Sequence, residues 1–334
     1  ALSSCKSDKS SEPAQQDAPT AGDAPVADTA PDSALPPPDL PGKGRHILFG
    51  DLHVHSTYSL DAMVQSSPLL AGAGFAGPTQ RCEFARFCSQ VDFWAITDHP
   101  EYYTPEMWEE TKEAVRSCNA LEGGLGDSPS LGTFLGWEWT QNAQSLEDDW
   151  GHKNVIFRDV GEGEVPARPI AARSTVVNLN EAMVKGIIST ARLADPENAE
   201  TYEIMGETIL AGFAVPECDK GQDTRSLPTD CKEVADDPAE LYEKLDQWGF
   251  DTLVIPHGNA WGVHHPPLAS WAVQQNRTQH RPEYERLVEI YSGHGSMEEY
   301  RPWRHAVLDE SGAQRCPEPT KDFLPCCWRA GEIM

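Results

Sequence analysis

Histidines and acidic residues recur along the chain in short motifs whose composition suits a metal site. Residues 50–55 read GDLHVH and place His53 and His55 one residue apart. Side chains alternate between the two faces of an extended segment, so both imidazoles point the same way and can reach one cation. By itself this motif is weak evidence, because exposed strand ends carry histidine for many reasons.

Further polar residues stand at the ends of other predicted strands. His99 ends the motif TDH, Glu138 lies in GWEW, His152 precedes a strand, and His257 closes one in PHGN. Each has an ordinary structural interpretation: His257 alone fits a turn, and Glu138 fits a paired structural carboxylate. Together they are hard to obtain from packing, because buried ionisable groups are costly unless they are paired or bound to a metal. The joint pattern therefore predicts a metal site.

The segments that must position these groups are apolar runs and amphipathic stretches from Arg45 onward. We predict buried strands over residues 46–50, 91–97, 131–136, 154–157, 252–255 and 287–291. We predict helices over residues 80–90, 105–118, 180–192 and 238–248. In the first of these helices Phe84, Phe87 and Cys88 share a face. Between residues 161 and 237 the pattern is weak, and we expect long loops around the one helix there.

Strands that alternate with helices indicate βα units around a parallel sheet, and therefore the α/β fold class. The number of predicted strands favours a barrel over an open sheet. Active sites of such barrels lie at the carboxyl ends of the strands, which is where most of these polar residues fall.

The first 45 residues differ from the rest. Residues 1–5 read ALSSC, which resembles the lipobox of bacterial lipoproteins, and we expect Cys5 to carry the lipid anchor. Residues 6–45 are rich in Ala, Pro, Ser and Asp and contain no aromatic residue, so they cannot bury enough apolar area to offset their ordering entropy. We predict a disordered tether over residues 1–45 and a folded domain over 46–334. The protein would then be exported to the periplasm or cell surface and tethered to a membrane; a linker without an anchor would differ only at Cys5.

The cysteines also indicate export. Of nine cysteines, eight remain if Cys5 is lipidated, and an even set in an exported protein suggests disulfides. Cys218 and Cys231 flank a polar loop and are the best local pair. No spacing matches the C-x₂-C of a zinc ribbon, so we do not expect cysteine to bind metal.

Composition excludes other classes of function. Asp+Glu 53 against Lys+Arg 26 gives a net charge of −27, and a field of that sign repels the phosphate backbone of nucleic acid. No run of about 18 apolar residues, the length that spans a bilayer, occurs. The sequence contains neither a Walker loop nor a G-x-S-x-G motif, which disfavours nucleoside-triphosphate and covalent acyl chemistry.

The motifs GDLHVHSTYSLDA, FWAITDH, GWEWT and PHGN resemble the polymerase and histidinol phosphatase (PHP) superfamily. They are most similar to a PHP-related bacterial family of unknown function, over roughly residues 45–300. The resemblance implies a distorted (β/α)₇-type barrel with long loop insertions that holds two or three divalent ions. Most characterised members hydrolyse phosphate esters, so it also implies a small-molecule phosphoester substrate.

The resemblance assigns roles to individual residues. His53 and His55 match ligands of a first ion, Glu138 matches a bridging carboxylate, and His152 and His257 match further ligands.

Four more aspartates and histidines receive roles in the same way. His99 and Asp61 match ligands of a third ion. Asp51 and Asp98 match groups that fix the neighbouring imidazoles from behind, and Asp98 is also a candidate catalytic proton carrier.

The family's last motif, an Asp-x-His that supplies two more ligands, is absent after Leu287. We expect that the chain is a C-terminally incomplete part of a longer protein. Alternatively, the segment VEIYSGHGS compensates in part, with Glu289 supporting the ligands and His294 in a catalytic role.

Imidazole and carboxylate ligands without thiolate suit Zn, Mn or Fe. Two such ions can hold a bridging hydroxide near neutral pH and clamp a phosphoryl group during in-line attack. The first hypothesis is therefore an exported metal-dependent phosphoesterase. The second is an amidohydrolase-like enzyme that cleaves C–N or lactone bonds, for which Lys153 is the nearby candidate for a carboxylated lysine. The third is a non-catalytic surface protein whose metals are structural.

Overall fold

The computed structural model describes residues 47–72, 74–89, 91–121, 131–141, 145, 147–173, 180–258, 261–262, 279–292, 295–296, 307–312, 314–315 and 318. The chain divides into two compact units, Ala1–Leu48 and Phe49–Met334. All secondary structure of the described residues lies in the second unit. The predicted tether over residues 1–45, with Cys5, lies outside the described residues.

The described part of the chain is a mixture of strands and helices. Its strands are β1 (Gly50–Val54), β2 (Phe93–Ile96), β3 (Gly132–Thr140), β4 (His152–Phe157), β5 (Ile170–Ala172), β6 (Glu233–Ala235), β7 (Thr252–His257), β8 (Trp261–Gly262), β9 (Gly295–Ser296), β10 (Val307–Leu308) and β11 (Gln314–Arg315). Its α-helices are α1 (Leu60–Gln65), α2 (Pro78–Phe84), α3 (Pro105–Leu121), α4 (Glu181–Ala194), α5 (Ala199–Ala214) and α6 (Pro238–Trp248).

The central element is a curled five-stranded sheet in the order β1-β2-β3-β4-β7. Strands β1, β2 and β3 are parallel, whereas β4 runs antiparallel to both β3 and β7. The predicted parallel sheet is therefore wrong for β4. The reason is the connection over residues 141–151, which is shorter than the dozen or so residues that a parallel crossover needs. Within the described residues the sheet forms half of a barrel and does not close.

The outer face of the sheet carries the main core. Leu135, Trp137 and Trp139 of β3 pack there with Val155 and Phe157 of β4, and side chains of α3 and α6 cover them. Side chains alternate along β3, so Glu138 and Thr140 must project from the opposite, inner face.

The inner face carries a smaller apolar cluster. Ala95, Ile156 and Ile255 form it, with Phe134 and Leu253 packed against them. These residues lie toward the middle of the sheet, so they form an apolar floor below the polar residues at the carboxyl ends of the parallel strands. We call this group the inner apolar floor.

Helices with clear end signals lie where the sequence predicts them. α6 spans the predicted residues; the Asp237 carboxylate accepts a hydrogen bond from the Glu240 N–H, and Gly249 ends the helix with a left-handed φ of 73°. α4 begins after Asn180, whose side chain caps the Met183 N–H. Local capping chemistry decides these boundaries.

One predicted element at the start of the folded unit is wrong. The apolar run at 46–50 is not a buried strand, because Ile47, Leu48 and Phe49 are exposed and β1 begins only at Gly50. The His-x-His motif thus begins inside the strand rather than after it.

The predicted shared face of Phe84 and Phe87 is exposed, at 55% and 66%. The buried residues of this segment are Cys82 and Ala85. The helix changes from α geometry to π geometry at Ala85, which rotates the residues after Ala85 relative to those before it. A disulfide joins Cys82 to Cys118 of α3.

The segment between residues 161 and 237 contains more structure than the predicted loops. α5 packs Tyr202, Met205 and Ile209 against Val184 of α4. Glycines obscured this helix in the sequence because they lower helix propensity. Gly206 is needed for packing, since a Cβ there would stand 2.8 Å from the side chain of Ile188.

Two disulfides have both of their cysteines among the described residues. The predicted pair Cys218–Cys231 is confirmed, and Cys82–Cys118 is a second bridge that spacing did not indicate. Such bridges are typical of proteins exported to an oxidising compartment. No helix in the described ranges combines the length and the apolar character needed to cross a membrane.

Candidate metal centre

The antiparallel course of β4 brings its first residue to the edge where β3 and β7 end. His152 pairs in register with Thr140 of β3 on one side and with His257 of β7 on the other. Glu138 lies two residues before Thr140, so its side chain projects from the same face. The fold therefore gathers residues that are more than a hundred positions apart in sequence onto one edge of the sheet.

An irregularity in β1 directs the first two histidines to this edge. The register between β1 and β2 shifts between Asp51 and Val54. Leu52 contacts the inner apolar floor whereas Val54 contacts the main core, although the two residues are only two apart. Such a bulge changes the direction of the side chains that follow it, and His53 and His55 reach the inner edge.

Glu138 is the centre of the cluster and is fully buried. Its Oε2 atom lies 3.1 Å from Nε2 of His53 and 3.0 Å from Nε2 of His55. Its Oε1 atom lies 2.6 Å from Nδ1 of His152 and 3.0 Å from Nε2 of His257. One carboxylate thus faces two separate pairs of imidazoles, as a bridging ligand would.

Two more carboxylates lie at the rim. Asp61 Oδ1 is 3.7 Å from both His55 Nδ1 and His99 Nε2, and His99 Nδ1 lies 3.6 Å from Glu138 Oε2. Glu289 Oε2 is 2.8 Å from Nδ1 of His53. The side chains of Asp61 and Glu289 are 32% and 27% exposed, so solvent reaches the cluster at these two residues.

Four overlapping groups of these side chains could hold a metal ion. In each group the ligand atoms lie within 4.8 Å of one another; the groups are His53–His257–Glu289, His53–His55–Glu138, His55–Asp61–His99 and Glu138–His152–His257. Among the described residues these groups contain only imidazole and carboxylate donors, a set that suits Zn, Mn or Fe. Every metal ligand predicted from the sequence is therefore part of this cluster.

Burial and mutual charge shift the pKa values of Glu138, His53, His99 and His257. Burial raises the pKa of Glu138, but the positive field of His99, His257 and His53 outweighs it and holds that pKa well below its usual range. Burial lowers the pKa of His53, but the charges of Glu138 and Glu289 raise it to about 10.

The pKa values of His99 and His257 shift in opposite directions. Burial lowers the pKa of His99, yet Glu138 and Asp61 raise it to about 10. For His257 burial prevails and its pKa is lowered. The protein without a cation thus balances acidic and imidazolium groups at very short range.

Two hydroxyl groups that the sequence did not single out hold the imidazoles. Ser59 Oγ lies 2.8 Å from His55 Nδ1 and accepts a hydrogen bond from the backbone N–H of His99 at 3.0 Å. Thr140 Oγ1 contacts His99 Nδ1. Thr140 could have been found from the sequence, because it lies two residues after Glu138 in β3 and its side chain projects from the same face. The position of Ser59 depends instead on the turn after His55.

Asp98 lies behind the cluster and is fully buried. Its carboxylate accepts hydrogen bonds from the Ser56 N–H, from Ser56 Oγ at 2.6 Å and from the Tyr103 hydroxyl at 2.8 Å. Burial raises its pKa. These contacts anchor the turn after His55 and give Asp98 a structural role in addition to the predicted catalytic one.

Asp51 and Glu289 take places that differ from the predicted ones. The Asp51 carboxylate accepts a hydrogen bond from the backbone N–H of His53 at 2.9 Å, so it orients the strand rather than the ring. Glu289 reaches the cluster through a single backbone bridge to His257 in place of the predicted strand 287–291. It stands among the ligand atoms, not only behind them. His294 lies outside the described residues.

Lys153 points away from the cluster. It follows His152 in β4, so its side chain projects from the outer face, where its Nζ donates to the Trp150 carbonyl and lies 5.7 Å from the ring centre of Trp139. A carboxylated Lys153 could not join these ligands.

Comparison of the chain with known protein families, with curated proteins and with solved structures finds no match in any of the three. The chemistry and geometry of this cluster are therefore what indicates a function.

Proposed function

We propose that the protein is a metal-dependent hydrolase that cleaves phosphate esters of small molecules. The observation that carries the proposal is the buried Glu138, whose two oxygens face different pairs of imidazoles and which belongs to two of four overlapping ligand groups. A cluster of this kind suits about two to three neighbouring divalent cations. The motifs that resemble the PHP superfamily support the same reaction class.

The ligand residues would form two ends of the cluster. Glu138, His152 and His257 form the buried end of the cluster, and His55, Asp61 and His99 form the opposite end. Bound cations supply positive charge for phosphoryl oxygens and lower the pKa of a water molecule. The chain carries a net charge of −27, so this local positive charge is what would attract an anionic substrate.

The hydrogen bonds behind the ligands would keep the imidazoles in place. Ser59 holds His55 and the backbone of His99, while Asp98 holds the turn at Ser56. Ligands whose rotamers and tautomers are fixed in advance bind a cation more tightly than mobile ones do.

The first experiment is elemental analysis followed by activity assays on the purified full chain. The protein reconstituted with Mn²⁺, Zn²⁺ or Fe²⁺ should contain about two to three ions and release phosphate from members of a phosphoester panel. A chelator and His53→Ala should abolish both the bound metal and the activity. His280→Ala is the matched control, because His280 lies outside the cluster and contacts Glu285.

Parallel assays on amides and lactones separate the alternatives. Activity on those substrates without phosphoester cleavage would replace our proposal with an amidohydrolase-like one, although Lys153 faces away from the cluster. Bound metal without any hydrolytic activity would leave a structural metal centre.

We further propose that the half-barrel sheet is part of a distorted (β/α)₇-type barrel and that the protein is exported and tethered through Cys5. The two disulfides support export. When the chain is expressed in bacteria behind an export signal, radiolabelled fatty acid should label it, and Cys5→Ala should prevent both labelling and membrane association. Equal labelling of Cys5→Ala would refute the anchor.

A further inference from the structure

Asn154 is a buried amide that the ligand groups do not include. It is 1% exposed and follows His152 by two residues in β4, so both side chains project from the inner face. In register, Asn154 pairs with Glu138 of β3 and with Ile255 of β7. It therefore lies level with Glu138 and one step below His152 and His257, next to the inner apolar floor.

The side-chain oxygen of Asn154 is unsatisfied. Oδ1 is buried and has no hydrogen-bond partner among the described residues. A buried acceptor without a partner destabilises the folded state, and an apolar side chain of similar size would avoid that cost. Ile156, the next residue of the strand on the same face, is apolar and packs in the inner apolar floor, so this face of β4 accommodates apolar side chains. A costly amide at this position is expected where a ligand uses it.

We propose that Oδ1 of Asn154 is an additional oxygen ligand of the cation held by Glu138, His152 and His257, bound directly or through one water. The inference rests on the proposed function, namely that the cluster holds divalent cations. Glu138, His152 and His257 are all fully buried, and the amide adds an oxygen donor to them without adding charge. Neutral oxygen donors favour Mn²⁺ or Fe²⁺ over softer ions at this position.

The test compares Asn154→Leu with wild type and with Ile156→Val. Leucine removes the oxygen at nearly constant volume, and Ile156→Val perturbs the same face one step farther from the ligands. Each protein is stripped with a chelator and titrated with Mn²⁺, while free Mn²⁺ is followed by electron paramagnetic resonance. Thermal unfolding is then measured with and without Mn²⁺.

We expect opposite effects of Asn154→Leu on the stripped and the loaded protein. The stripped variant should unfold about 2–4 °C above wild type, because an unsatisfied amide has been removed. Its affinity for Mn²⁺ at one class of site should fall by about 10- to 100-fold, and the increase in Tm on adding Mn²⁺ should shrink. Ile156→Val should leave Mn²⁺ binding unchanged.

Other outcomes overturn the inference. Equal Mn²⁺ affinity of Asn154→Leu and wild type would refute the role of Asn154 while leaving the metal centre intact. Absence of Mn²⁺, Zn²⁺ and Fe²⁺ binding by wild type would refute the proposed function and this inference together. If Asn154→Leu does not fold, Asn154→Asp decides: it keeps the oxygen, so the increase in Tm on adding Mn²⁺ should equal or exceed that of wild type, and a smaller increase would contradict us.

Discussion

Two buried glutamates of this protein have different partners. Glu233 lies 2.9 Å from Arg168 Nε and 3.1 Å from Lys244 Nζ, and it accepts a hydrogen bond from Thr224 Oγ1 at 2.7 Å. Glu138 has no lysine or arginine within ion-pair distance in the described part of the chain; five imidazoles surround it instead.

The difference shows what each carboxylate needs. Arginine and lysine are charged at neutral pH, so the partners of Glu233 neutralise it within the fold. A deprotonated imidazole is a neutral metal ligand. Five imidazoles at such short range cannot all be protonated without repelling one another. The Glu233 cluster is complete within the protein, whereas the Glu138 cluster is suited to receive cations.

The strongest test of this comparison is Glu138→Gln. The variant should lose the bridging charge between both pairs of imidazoles, so we expect metal affinity to fall by at least about 100-fold and phosphoesterase activity to fall to background. Elemental analysis and the phosphoester assay measure both. Retained metal content would show that Glu138 is a structural carboxylate like Glu233.

Glu233→Gln should destabilise the fold and leave metal binding unchanged. Removing one partner of a buried ion pair leaves Arg168 without its carboxylate and Lys244 with only Glu240, at 3.7 Å, which costs about 3–5 kcal/mol of unfolding free energy. Urea unfolding measures the loss, and the metal content of the folded fraction should equal that of wild type. A loss of metal from Glu233→Gln would show that the two clusters are coupled.

Ser59→Ala should have a smaller effect, confined to the Glu138 cluster. The ring of His55 and the backbone of His99 lose a shared partner, so we expect metal affinity to fall by about 10-fold. Isothermal titration calorimetry with Mn²⁺ measures it. Ser226→Ala, at an exposed hydroxyl that bonds the Asp223 carbonyl, is the control and should bind as wild type does. Equal affinities of Ser59→Ala and wild type would remove Ser59 from the positioning residues.

The smallest predicted effect is on pH dependence. In the stripped protein the pKa of His53 is raised to about 10 from its ordinary 6.5, so its contribution to stability is complete below pH 6.5 and is lost as pH rises toward 10. Metal binding requires the deprotonated imidazole, so the loaded protein should gain stability relative to the stripped one over that range. Thermal unfolding between pH 6.5 and 9.5, with and without Mn²⁺, measures the two slopes. Parallel slopes would contradict the assignment of His53 as a ligand.

Much of the fold could be predicted because its signals are local. Capping residues define α6, and apolar runs locate β2, β4 and β7. α5 was missed because its sequence is ambiguous: it contains Gly206, which packs against Ile188 of α4. The helix after Pro78 was predicted, but its change to π geometry at Ala85 was not. Helix type and packing depend on neighbours that are distant in sequence.

The identity of the donors could be inferred from the sequence, since His-x-His, TDH and GWEW place imidazoles and a carboxylate near strand ends, and side-chain chemistry selects cations for them. Which atoms meet depends on the folded chain. The antiparallel β4 brings His152 beside His257 and Asn154 beside Glu138, and an isolated bridge to His257 brings Glu289 within reach of His53. These contacts depend on strand direction and register, which long-range packing determines and which no local motif encodes.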